Sequence, residues 1–120
     1  MDDVKKRDEG RVSASVRYSR IVYVIIAAIF TVCVLIQTFF AGIATFVDAG
    51  DWDLHRDFVP YFQFLPIVML LLAFLGRLPA VMRWQSGGLF LLIALQFITA
   101  HMGDISPDIQ VTAALHPVIA

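Results

Sequence analysis

Ile21–Phe46 reads IVYVIIAAIFTVCVLIQTFFAGIATF, 26 residues without one charged side chain. A helix needs about 17–25 mostly apolar residues to cross a bilayer, and at ~1.5 Å per residue this stretch reaches about 39 Å. Two further apolar blocks follow, Phe58–Leu75 and Trp84–Ala100. The expected fold is an all-α membrane protein. It is an up-down helical bundle with spans at 21–46, 58–75 and 84–100, and a partial fourth helix over 107–120.

Composition points the same way. Of the 120 residues, 59% are hydrophobic and the mean hydropathy is +0.78, whereas soluble domains are about 45–50% apolar. The net charge of −1 gives no reason to expect a nucleic-acid partner. The one cysteine, Cys33, lies inside the first block. It can form no intrachain disulfide and reads as a small buried hydrophobe. The first block is also too long for a secretory h-region of about 7–15 residues, so it reads as a retained helix.

Residues 1–20 carry Lys5, Lys6, Arg7, Arg11, Arg17 and Arg20, partly offset by Asp2, Asp3, Asp8 and Glu9. Without apolar periodicity this segment reads as a disordered tail ahead of a bundle over 21–120. Arg77 and Arg83 bracket the connection after the second span, and the opposite face holds only Arg56. Basic residues favour the cytoplasmic side. The N-terminus and the 76–83 connection are therefore expected in the cytoplasm of a multi-pass inner (plasma) membrane protein. Asp48–Asp57 and residues 101–110 then face outward. In the outer connection Gly50 is a candidate C-cap, Asp51 an N-cap and Trp52 a headgroup anchor. Pro60 suits a first helical turn, whereas Pro66 lies inside the second span and is expected to bend it.

The chemistry-bearing side chains fall at that outer end. Gln63 and Gln96 lie about 7 Å deep and Gln37 about 13 Å. An amide in lipid needs a partner, so these glutamines read as hydrogen-bonding glue between helices or as the lining of a pocket for a quinone or other small ligand. His55, His101 and His116 complete the polar end. They read as wet interfacial side chains or as ligands. Helices 2 and 4 of an up-down bundle run parallel, so His55 and His116 are the pair that helix parity can bring together. As axial ligands they suit haem b, with Arg56 on a propionate; no other metal site is expected. His116 precedes Pro117, which favours a capping or kinking position. No Gly-rich phosphate loop, nucleophile elbow or HExxH string occurs, so no catalytic residue is assigned.

The strings Gln37-Thr-Phe-Phe-Ala-Gly, Trp52-Asp-Leu-His-Arg-Asp-Phe58 and Leu115-His-Pro117 together resemble an uncharacterised family of small bacterial four-helix membrane proteins. That resemblance implies a fourth helix opening at His116-Pro117. The positions of His55-Arg56 and His116 are more loosely similar to a half-bundle of haem A synthase. That likeness implies haem-ligating histidines at the outer ends of helices 2 and 4. The first functional expectation is a non-catalytic accessory or scaffolding component, embedded in the lipid bilayer and packing as a homo-oligomer or within a larger membrane complex. The alternatives are a haem-b electron-transfer protein and a quinone-type site. The topology has a direct check. A reporter active only in the cytoplasm should be active when fused after Arg83 and silent when fused after Asp57; the reverse pattern inverts the orientation.

Overall fold

The computed structural model describes residues 12–105, 111 and 114–119, with side chains left aside at 103–105. Among them the order is α1 (Ala14–Phe46), α2 (Trp52–Phe58), α3 (Leu65–Leu75), α4 (Ala80–Ile105) and a single turn, α5 (His116–Ile119), with 3₁₀ turns at Ala49–Asp51 and Val59–Tyr61. No strand occurs among the described residues. Three segments, Ala14–Phe46, Ala49–Leu75 and Ala80–Met102, are long and apolar enough to cross a membrane. In their most apolar windows only 11%, 22% and 6% of residues are buried within the chain. Apolar side chains therefore face outward, an arrangement that suits lipid and not water.

Helix α1 starts seven residues before the apolar block, at positions read from sequence as tail. The cause is Ser13, whose hydroxyl accepts from the Val16 N–H at 3.4 Å. That side-chain cap supplies a partner for a first-turn donor. On the lipid-facing surface Thr31, Thr38 and Thr45 recur every seven residues, each donating its hydroxyl to the carbonyl four residues back at 2.7–2.9 Å. Each hydroxyl is thus satisfied by its own helix, as an apolar medium requires.

The first connection differs from the glycine C-cap expected at Gly50. Val47 occupies the cap, and Asp48 then accepts from the Gly50 N–H at 2.8 Å to start the 3₁₀ turn. The second span is broken. Helix α2 ends at Phe58, and α3 restarts at Leu65 with Pro66 in its first turn. At that place a missing N–H costs nothing. Pro66 therefore opens a helix instead of bending one. Helix α4 is longer than the apolar block at both ends. It absorbs Arg83 into its first turns and runs on to Ile105, past the end of the span expected at Ala100.

Helix α3 packs on α1 and on α4. The core joins Tyr23 and Phe30 of α1 to Phe62, Met69 and Ala73, with Ile26, Ala27 and Cys33 beside them. The α1 positions 23, 26, 27, 30 and 33 form one helical face. Phe30 and Phe62 meet at 6.0 Å between ring centroids. One buried polar bridge links α1 to α4: the Tyr23 hydroxyl lies 3.2 Å from Ser86 Oγ. Ser86 already donates to Met82 O at 2.9 Å, so Tyr23 is the donor across the bridge.

The turn after α3 is tightly built. Leu78 N–H donates to Ala73 O at 2.9 Å and Arg77 N–H to Phe74 O at 3.1 Å, the two bonds of a Schellman cap. The left-handed position of that cap usually carries glycine, yet Arg77 holds it at φ 48°. Gly76 sits where α1 approaches. A Cβ there would meet Leu72 O at 2.9 Å and Arg20 Cγ at 3.2 Å, and Gly76 O accepts from Arg20 Nε at 2.8 Å. Gly76→Ala should lower stability by about 1–3 kcal/mol through that crowding. Arg77→Gly should raise it by about 1 kcal/mol through relief of the left-handed backbone. Thermal unfolding of the detergent-purified protein reads both.

Candidate functional site at the histidine end

After α1 ends, the chain turns through Asp48–Asp51 and α2 runs back alongside it. This places His55 beside Gln37, about nine residues or ~13 Å below the end of α1. From sequence His55 lay at the membrane mouth. The continuous helical descent from residue 49 carries it deeper, to the level of Gln37.

The two residues grip each other. Gln37 Nε2 donates to His55 O at 2.8 Å, and His55 Nδ1 lies 3.2 Å from Gln37 O. A carbonyl only accepts, so His55 Nδ1 carries the proton and Nε2 keeps the lone pair. His116, at the start of α5, is fixed by the same device: its Nδ1 lies 3.0 Å from Gln96 O on α4. The two imidazoles come together at 6.2 Å between centroids, with planes 80° apart. Trp52, one turn before His55, packs its ring on it at 5.5 Å and 85°.

His55 and His116, the pair that helix parity selects, lie side by side. Both rings present the same tautomer. A backbone carbonyl holding Nδ1–H is the usual support of a histidine whose Nε2 binds a metal. Two imidazoles on opposite sides of one metal, with bonds of about 2.0 Å and roughly 1.2 Å from nitrogen to ring centre, put their centroids about 6.4 Å apart. The observed 6.2 Å, in an edge-on contact, is of that order. Among the described residues no cluster of three or more His, Cys, Asp or Glu is placed to hold a metal ion. A donor set of two imidazoles suits a metal that arrives with equatorial ligands of its own, as haem iron does.

The other expected residues separate from this pair. Arg56 is exposed and pairs with Asp53 one turn earlier. His101 is exposed, stacked on Phe97 at 4.8 Å, with its Nδ1 donating to Phe97 O at 2.9 Å. The Gln96 contribution is its backbone carbonyl, not its amide. Gln63 lines a mostly apolar groove with Phe64, Phe90, Ile93, Ala94 and Phe97. Of the three glutamines of the quinone-type reading, that groove holds Gln63, and its Phe97 is the ring on which His101 stacks.

Sequence reasoning missed the reciprocal Gln37–His55 bond and the Trp52–His55 contact. The second was available in the spacing, since positions i and i+3 share a helix face. Gln37 Oε1 is buried with no hydrogen-bond partner among the described residues, an acceptor left open beside the pair. Because, among the described residues, Gln37 is the glutamine whose amide bonds between helices, Gln37→Leu should cost about 1 kcal/mol in thermal unfolding. Gln63→Leu and Gln96→Leu should each stay within about 0.5 kcal/mol. Equal losses in all three would contradict this assignment.

Neither the curated proteins nor the solved structures contain a match to this chain. Residues 37–102 match a described family. The matched region begins at the glutamine that holds His55 and ends just after His101. The chain belongs to that family, the Family of unknown function (DUF6220).

Proposed function

We propose that this is a multi-pass membrane protein that holds haem b between His55 and His116 and passes electrons. The observation that carries the reading is the meeting of the two rings at 6.2 Å with both Nδ1 protons committed to backbone carbonyls. Bound there, haem b would supply a one-electron iron couple. The chain's own part is positional and electrostatic. Gln37 O and Gln96 O set the tautomer and make each Nε2 a stronger donor. Trp52 limits rotation of the His55 ring. The apolar spans keep water away from the ligands. Arg56, the next residue, would exchange Asp53 for a propionate. The basic residues before α1 and around Arg77 and Arg83 support an inner-membrane placement with a cytoplasmic N-terminus.

The accessory reading has support of its own. A Cβ built at Gly42, Gly87 or Gly88 would meet nothing within 4 Å. These faces admit the close approach of another helix, in a second copy or a larger complex.

An optical spectrum of the detergent-purified protein, expressed with ample haem, distinguishes the two. The haem reading predicts a Soret band that shifts on reduction. It should be lost in His55→Ala and in His116→Ala and kept in His101→Ala. A featureless spectrum would leave the accessory reading in place and remove the haem reading.

A further inference from the structure

At the end of the spans opposite the histidines, three arginines from different elements gather on one turn. Arg20 of α1 donates Nε to Gly76 O at 2.8 Å, which leaves its terminal nitrogens free to bind. Arg77 is the next residue and is exposed. Arg83 of α4 stacks its guanidinium on Phe74 at 4.8 Å, and its buried Nε has no partner among the described residues. The acidic residues whose side chains are described are Asp48, Asp51, Asp53 and Asp57, all at the histidine end. The ion pair observed among the described residues is Arg56–Asp53, also at that end.

Two features set this cluster apart from basic side chains that merely reach for water. Arg77 occupies the left-handed cap position where glycine is relaxed, so the fold bears backbone strain to place an arginine there. Arg20 is drawn in by a close approach that only Gly76 permits. The cluster also lies at a definite depth, at the end of α3 and the start of α4. Trp84 beside it is 81% exposed, as interfacial tryptophans are. The ends of candidate membrane spans beside an exposed tryptophan suit the level of lipid phosphates.

From this geometry we infer that Arg20, Arg77 and Arg83 form a binding site for the phosphate of an anionic phospholipid headgroup. Guanidinium forks match phosphate oxygens in pairs. A zwitterionic headgroup brings its own ammonium to the same cluster, whereas an anionic one does not, and this sets the preference.

The test compares melting temperatures of the full chain in nanodiscs of phosphatidylcholine with those in nanodiscs also containing phosphatidylglycerol. The wild type should melt higher with phosphatidylglycerol. Arg77→Gly should melt above wild type in phosphatidylcholine, because its backbone is relaxed, yet lose most of the gain from phosphatidylglycerol. Arg83→Gln should lose that gain as well. The loss in Arg77→Gly cannot then be ascribed to a failed fold. An equal gain in the wild type and both variants, or no gain in the wild type, overturns the site. If inorganic phosphate added to phosphatidylcholine discs gives the wild type the same gain, the ligand is a soluble anion and the lipid assignment falls.

Discussion

The reciprocal hydrogen bonds between Gln37 and His55 hold the histidine end of this fold together. In hydrocarbon a polar group without a partner costs several kcal/mol, so a glutamine and a histidine at this depth strongly favour finding each other. Their pairing sets where α2 lies against α1 and leaves His55 with one protonated and one free ring nitrogen. The approach of His116, tethered to Gln96 O on α4, then brings a second imidazole beside the first. The polar chemistry of the site is a consequence of satisfying polar groups in an apolar medium.

The two ends of the protein solve different problems. At the histidine end, helix carbonyls beyond their ordinary backbone bonds are used to orient imidazoles. At the arginine end, a Schellman cap and a glycine contact bring cations together, with no acidic neighbour among the described residues. Between them lies a small core around Tyr23, Phe30, Phe62, Met69 and Ala73. The outward apolar surface is left to lipid or to other helices.

Much of this was legible in the residues. The three spans follow from length and hydropathy, because a helix that must bury every backbone bond in lipid leaves a long apolar run. The choice of His55 and His116 over His101 followed from helix parity alone. What stayed hidden was local. The start of α1 depends on one serine cap at Ser13. The break before Leu65 depends on how the chain answers Pro66. The depth of His55 depends on α2 descending as a helix from the first residues after the turn. The role of Gln96 was hidden for a different reason: it acts through a backbone carbonyl, which any residue carries.

The central claim is that His55 and His116 would together hold one haem iron. Electron paramagnetic resonance of the oxidised, haem-loaded full chain tests it most directly. The account predicts a low-spin ferric signal from two nitrogen ligands in the wild type, replaced by a high-spin signal in any haem retained by His55→Ala or His116→Ala. A low-spin signal that survives in either variant, or a high-spin signal in the wild type, would contradict it.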